Sequence, residues 1–243
     1  IESYKGDYYE PHGVGVWTEG QPIGKFYLRQ IDHIIQDQAE IDRMLANGFS
    51  FSPSTPGPGD FLYKNTNGDK KINDDDRVLM GNPIPLFNFG INIGMNYKGF
   101  DFYTLMTGVA GVDKYVSGLF NHNTHTIGFL YPTRFLDQWT PENPSTTVPK
   151  VYTGNPINQQ ASEYNLYDAS FFRFKTIQLG YTIPERWAKK IHLDKLRLYV
   201  NLENFFTFTS FPGMDPEMSG SAYNGDLNYP LLKTVSVGLN INF

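Results

Sequence analysis

The chain contains no cysteine, which excludes a disulfide framework, a thiolate metal site and a cysteine nucleophile. It also lacks an excess of basic charge. Against 20 Lys and Arg stand 25 Asp and Glu, a net charge of −5. Nucleic-acid binders normally carry a basic stripe, so no nucleic-acid partner is expected. No run approaches the roughly 18 consecutive apolar residues of a membrane-spanning helix, and the mean hydropathy is −0.39. A membrane β-barrel stays open, because its strands alternate and average out as polar. No phosphate-cradling glycine motif follows a strand, and no G-x-S-x-G elbow occurs. The start, Ile1-Glu2-Ser3-Tyr4-Lys5, has no charged beginning, apolar core or small-residue cleavage site. A targeting signal is therefore expected to be absent, removed or upstream. What the chain does have is aromatic residues, 16% of the total, with 23 Gly and 16 Pro.

The segment Thr234 to Phe243 alternates throughout. Val235, Val237, Leu239, Ile241 and Phe243 fall on one face, and Thr234, Ser236, Gly238, Asn240 and Asn242 on the other. In a strand this makes one apolar side and one wet side. The wet side carries small and amide groups rather than the Lys and Glu common on solvent-facing sheets. Phe87, Phe89, Ile91, Ile93, Met95 and Tyr97 alternate in the same way with Asn88, Gly90, Asn92, Gly94 and Asn96. Leu196 to Glu203 repeats the pattern, and Thr176 to Ile183 does so less cleanly. Phe100 to Gly111 and Gly24 to Ile35 also read as strands. About six strands result, near the ~9–11 residues that cross a bilayer at a tilt.

The connections between them differ in length. Lys98-Gly99 is a tight hairpin signal. Pro184 to Asp194 is short, with Glu185 to Lys190 able to form one or two helical turns. Residues 36–85, 112–170 and 209–230 make long connections. Long and short links alternate strictly, as in a transmembrane barrel with short periplasmic turns and long outer loops. The expected fold is all-β, an antiparallel transmembrane β-barrel, with the three long connections extracellular and the C-terminus periplasmic. Six strands cannot close such a barrel, and an open edge cannot face lipid. The 243 residues are then expected to be part of a larger wall.

Particular words of the sequence carry a resemblance. In order they are Gln21-Pro22-Ile23-Gly24-Lys25-Phe26-Tyr27; Gly59-Asp60 through Asn67-Gly68-Asp69 to Asp76-Arg77; Gly81-Asn82-Pro83-Ile84-Pro85; and Tyr97-Lys98-Gly99-Phe100-Asp101-Phe102. There follow Trp139-Thr140-Pro141-Glu142-Asn143-Pro144, Ala169-Ser170-Phe171-Phe172-Arg173, Leu196-Arg197-Leu198-Tyr199-Val200-Asn201 with Glu203-Asn204, Pro212-Gly213-Met214-Asp215-Pro216-Glu217, and the terminal Asn240-Ile241-Asn242-Phe243. From about Gly20 to Phe243 the chain resembles the C-terminal part of the SusC/RagA family of TonB-dependent outer-membrane transporters of Bacteroidetes. The resemblance implies a 22-stranded barrel with a plug domain in its lumen and a SusD-like surface lipoprotein as lid. It also implies uptake of oligosaccharides, or in some members peptides, driven by a TonB complex acting on an N-terminal TonB box. Residues 1–243 hold neither plug nor TonB box, so the rest of the barrel and the plug are expected partners, together with outer-membrane lipid. A C-terminal aromatic ending an alternating strand, here Phe243, resembles the assembly signal of such barrels.

Few residues suggest chemistry. Asn65 to Asp76 resembles an EF-hand or dockerin calcium loop, with Asn65, Asn67, Asp69, Lys71 (through its carbonyl), Asn73 and Asp76 at the ligand positions. Asn65 replaces the usual Asp, Lys70 the Gly and Asp76 the bidentate Glu, so any Ca²⁺ affinity should be weak. The competing reading is a loop folded by Asx turns; no other cofactor is expected. Asp215/Glu217 and Asp137/Glu142 are the carboxylate pairs a glycosidase would need, but all sit in loop-like segments without a sign of a buried acid, so no catalytic residue is expected. His33, His122, His125 and His192 are scattered, with no ligand pattern nearby.

Aromatics carry more. Tyr97, Phe100, Tyr181, Trp187 and Phe243 fall at the expected periplasmic rim, and Phe205, Phe206, Phe208 and Phe211 at the outer rim, as interfacial girdles do. In the loops, Tyr131, Trp139 and Tyr223 are candidates either for stacking on substrate or for packing within loop or lid. The expected lumen face comprises Asn88, Asn92, Asn96, Arg197, Tyr199, Asn201, Glu203, Asn240 and Asn242. Two rival readings remain at this level. One is a secreted β-sandwich module that binds glycans through loop aromatics and a calcium loop; the other is a small glycosidase.

Overall fold

The structure is a computed structural model and describes residues 8–9, 14–116, 133–151, 157–213, 215–217 and 231–243. They belong to two compact units. One holds the described residues of 1–83 and 114–167, the other those of 84–113, 168–219 and 228–243.

The second unit is a wall of five long antiparallel strands. They are β1 (Phe87–Tyr97), β2 (Phe100–Ala110), β3 (Phe171–Thr182), β4 (Lys195–Thr209) and β5 (Thr234–Asn242). Their order in the sheet is β5-β4-β3-β2-β1, so every neighbour in sequence is a neighbour in space. Lys98 (φ 46°) and Gly99 (φ 88°) form the two-residue turn between β1 and β2. Positive φ at both central positions gives the turn a twist that matches the strands. The link from β3 to β4 contains a helical turn, Glu185–Ala188, continued as a 3₁₀ turn, Lys189–Ile191. Both short links leave the same end of the wall, and the long connections leave the other, as the alternation of link lengths predicts.

Two strands are longer than their alternation suggests. The register of β3 against β2 jumps between Leu105 and Met106, leaving Lys175 as an extra residue. The register of β4 against β3 jumps between Phe174 and Thr176, leaving Asn204 and Phe205 extra. Such bulges insert residues without ending the strand. The Lys175 bulge reverses the side-chain parity, which is why the pattern is legible only from Thr176 onward. Asn204 takes a left-handed φ of 53°, a conformation Asn tolerates better than most residues.

The first unit corrects a second expectation. Gly24 to Ile35 is not a sixth wall strand. It divides into Lys25–Leu28, which pairs with Gly15–Trp17 and Val78–Met80, and Ile31–Ile34, which pairs with Phe61–Tyr63. The break falls at Arg29, which is almost fully buried and donates to the Ser52 carbonyl and to Asp74. A buried guanidinium with fixed partners holds the chain at a corner rather than in a straight crossing. Residues 36–85 and the described residues of 112–170 likewise carry a helix, short strands and core side chains. Helix Gln38–Ala46 is capped by the Asp37 side chain, which accepts from the Glu40 N–H at 2.9 Å, and it buries Ile41. Ile34, Ile35, Ile41, Phe61, Leu62, Tyr63, Ile72, Trp139 and Ile157 form one apolar core. Val14, Phe26, Leu28 and Tyr115 form another.

Candidate functional site: the two faces of the wall

Strand pairing sorts the wall's side chains into two faces. On one, Met95, Phe102, Leu179, Val200 and Val237 lie in a row across all five strands. Next to it run Tyr97, Phe100, Tyr181, Leu198 and Leu239. Most of this face is exposed: Val237 by 76%, Val235 by 58%, Leu239 by 52%. A soluble sandwich would bury these residues under a second sheet about 10 Å away. Among the described residues no such layer covers them. A contiguous apolar surface of this extent is far from what water tolerates on a monomer.

The other face is polar. Asn96, Asp101, Gly180, Tyr199 and Gly238 form one row, and Arg197 pairs with Asn240 beside it. Asn88, Asn92, Asn201, Glu203 and Asn242 share that face by strand parity. All nine residues expected on one wet face are thus brought together. Arg197 reaches across β3 to Asp101, donating Nε–H to Oδ1 at 2.9 Å, pairing again through Nη2, and donating to Gln178 Oε1 at 2.9 Å. Gly180 lies beneath this bridge. A Cβ there would stand 2.5 Å from Arg197 Nη2 and Asp101 Oδ1, so only glycine leaves room. Tyr199 lies over Gly238 in the same manner, an aromatic covering the gap that a glycine leaves in a strand.

Further along this face sits Arg173, 2% exposed. It donates to Thr207 Oγ1 at 2.9 Å, Glu217 Oε2 at 2.8 Å and Asp215 Oδ1 at 2.6 Å. Lys175 also pairs with Glu217. Asp215 and Glu217, one of the carboxylate pairs a glycosidase would need, are therefore committed to a guanidinium. Burial pushes the Asp215 carboxyl up, but hydrogen bonds from Arg173 and from the Glu217 and Leu231 N–H groups outweigh it, leaving the group below the usual range. A general acid needs the opposite shift. Asp137 and Glu142 are exposed.

The rims are aromatic. At the short-link end Phe100 and Tyr181 meet at 4.6 Å between ring centres, and Tyr97, Trp187 and Phe243 are exposed. At the other end Phe172, Phe174, Phe206 and Phe208 cluster, with centroids 5.5 Å apart for Phe172–Phe174 and 6.1 Å for Phe174–Phe206. Phe172 and Phe174 escape sequence reading because the Lys175 bulge hides their parity. Arg173 and Asp101 escape it because their partners lie 42 and 96 positions away; no local spacing signals either.

The remaining candidates lie in the first unit. Trp139 is 6% exposed. Its indole N–H donates to Gln36 Oε1 at 3.0 Å, and Gly59 packs against its ring. This is the packing alternative of the two roles, since a ring inside a core has no face to offer a ligand. Tyr131, Tyr223, His122 and His125 lie outside the described residues. In the 65–76 turn, Asn65 Oδ1 accepts the Gly68 N–H, Asn67 Oδ1 that of Asp69, Asp69 Oδ1 that of Lys71 and Asn73 Oδ1 that of Asp75. Asp76 is fully buried and accepts the N–H groups of Thr66 and Asn73. These are Asx turns, in which the side-chain oxygens serve the backbone. Among the described residues no group of three or more His, Cys, Asp or Glu is arranged to hold a metal ion.

Together these features define a class: a section of wall from an antiparallel transmembrane β-barrel, with one apolar and one amide-rich face. No family model matches the chain. It is 30% identical over 244 residues to TonB-dependent receptor P3 of Formosa agariphila, covering 94% of this chain and 23% of that protein. Receptor P26 of the same organism is 32% identical over 201 residues, covering 76% and 20%. The TonB-dependent receptor SusC of Bacteroides thetaiotaomicron is 25% identical over 202 residues, covering 76% and 18%. Among solved structures, the RagAB peptide transporter superposes with a TM-score of 0.75 at 22% identity, covering 98% of this chain and 24% of that one. The RagAB peptide importer in its open-open state gives 0.71 at 20% identity, with the same coverage. The chain belongs to the SusC/RagA family of TonB-dependent receptors and spans about a quarter of the length of these relatives.

Proposed function

We propose that the whole protein imports nutrients across the outer membrane, and that this chain supplies five strands of its barrel wall. The observation that carries the reading is the apolar face that runs across β1 to β5, with Met95, Leu179, Val200 and Val237 exposed along one row. Such a face is stable only against hydrocarbon, which accepts the apolar side chains while the strand pairing satisfies the backbone. The opposite face then lines the lumen. Asn88, Asn92, Asn96, Arg197, Tyr199, Asn201, Glu203, Asn240 and Asn242 give a hydrated wall against plug and solute. The mechanism is passage through the barrel, and it calls on no catalytic group.

By similarity, the short links lie in the periplasm, a SusD-like lipoprotein caps the outer end, and a TonB complex drives the plug. The substrate class is an oligosaccharide or a peptide; the relatives named for substrate are a peptide importer and transporter. Tyr131 and Tyr223 remain the candidate substrate-stacking residues. The full-length receptor should extract only with detergent and migrate faster on gels before heating than after. Solubility without detergent would overturn the barrel reading. Uptake of labelled oligosaccharide or peptide by intact cells should stop when the proton gradient is dissipated; uptake that survives would overturn the energised mechanism. The rival glycan-binding module predicts calcium-dependent melting in buffer, and the exposed apolar face argues against it.

A further inference from the structure

The link between β3 and β4 brings strong local charge beside exposed apolar side chains at the edge of the wall. Residues 185–195 contain four cations (Arg186, Lys189, Lys190, Lys195) and two anions (Glu185, Asp194), a local excess of two positive charges in a chain whose net charge is −5. The helical stretch Glu185–Ile191 sorts them. At about 100° per residue through the helical turn and about 120° through the 3₁₀ turn, Trp187, Ala188 and Ile191 span one arc, Arg186 and Lys189 the opposite one, and Lys190 flanks Trp187. Ala188 is fully buried and seats the turn. Its carbonyl accepts the Leu193 N–H at 3.1 Å, while His192, at φ 60°, turns the chain back toward β4. Trp187 and Ile191 remain 56% and 57% exposed. Arg186 stands over the Trp187 ring at 5.7 Å, and Glu185 pairs with Lys189.

An exposed tryptophan beside an exposed isoleucine, backed by a basic arc, is the pattern of a segment lying in a membrane interface. The indole settles at the headgroup level, and Lys and Arg extend their charged ends to lipid phosphates. Tyr181, near the end of β3, and Leu198, near the start of β4, pair on the apolar face and flank the link in sequence. We infer that Pro184–Asp194 is an interfacial anchor that binds the phosphate headgroups of anionic phospholipids in the adjoining leaflet. Trp187 and Ile191 enter the acyl boundary, and Arg186, Lys189 and Lys190 hold the headgroups. Water alone would leave the apolar arc uncovered, and a protein partner offers no reason for the basic arc to follow the rim of a lipid-facing wall. This inference rests on the barrel reading.

The test uses the full-length receptor in nanodiscs of phosphatidylcholine with and without phosphatidylglycerol. Native mass spectrometry counts the phosphatidylglycerol retained on release. Wild type should retain it selectively, and retention should fall as salt is raised toward molar concentrations, because screening weakens exposed charge pairs. The triple substitution Arg186→Gln, Lys189→Gln, Lys190→Gln should lower retention several-fold without changing heat-modifiable migration. Wild-type retention that is unselective or indifferent to salt would overturn the inference, as would a folded triple variant that retains as much as wild type. Failure of the wild type to enter discs of either composition would instead overturn the barrel reading itself.

Discussion

Trp139 shows how a single aromatic residue is decided by its surroundings. On sequence it is a candidate both for stacking on substrate and for packing, with packing favoured; in the structure it belongs to the core cluster that includes Ile35 and packs against Gly59, with its N–H satisfied by Gln36. Trp139→Ala should cost about 3–5 kcal/mol through lost burial and a cavity, measured by denaturant unfolding of the full-length receptor, and should lower uptake only as far as it lowers the folded fraction. His33 shows the same dependence in its titration. Partial burial lowers its pKa, but hydrogen bonds with Glu40 and Asp32 outweigh this and hold it above 6.5. The sign follows from the direction: the stabilising charge is fully present below pH 6.5 and is lost as pH rises through the raised value. An NMR titration should place the His33 midpoint above 6.5, and Glu40→Gln should bring it down.

At the scale of elements, glycines and ion pairs fix how strands lie together. Tyr199 on β4 covers Gly238 on β5, so the two are coupled. Gly238→Val should destabilise by about 1–3 kcal/mol through overpacking. In combination with Tyr199→Ala much of that loss should be recovered, and a double-mutant cycle of thermal unfolding in detergent would read the coupling. Additive losses would show that the two do not share space. Arg173 joins β3 to Thr207 on β4 and to the Asp215–Glu217 turn. Arg173→Met would leave Asp215 buried without its partner, at about 3–5 kcal/mol. Faster protease cleavage within residues 210–217 is the measurement, and unchanged cleavage would mean the turn is held by other contacts.

For the whole molecule, the proposed barrel requires one face of the wall to meet lipid and the other to meet water. Because this chain has no cysteine, single substitutions report cleanly on it. Asn201→Cys and Asn240→Cys in the full-length receptor should react with a water-soluble maleimide. Val237→Cys and Leu239→Cys should react only with a lipid-phase reagent. Equal aqueous labelling of both sets would contradict the assignment of the faces. The wall was largely legible beforehand: β1 and β5 follow from strict alternation, and β2 from the Lys98-Gly99 hairpin signal and the strand-like run after it. The bulges at Lys175 and Asn204 hid the outer halves of β3 and β4, because period-two reasoning fails where a residue is inserted.

Where no residue is inserted, the sequence by itself determined which side chains share a face, since that needs only the alternation of a strand; beyond the bulge at Lys175 the strand register decided it. Only the tertiary structure decided which positions pair over long distances. Arg173 with Asp215, Arg197 with Asp101 and the buried Trp139 arise from strand register and core packing. The same holds for Gly24 to Ile35, whose apolar pattern suits a wall strand but whose buried Arg29 bends it into a separate core. Local pattern encodes orientation, whereas contacts between distant residues depend on how the chain closes upon itself.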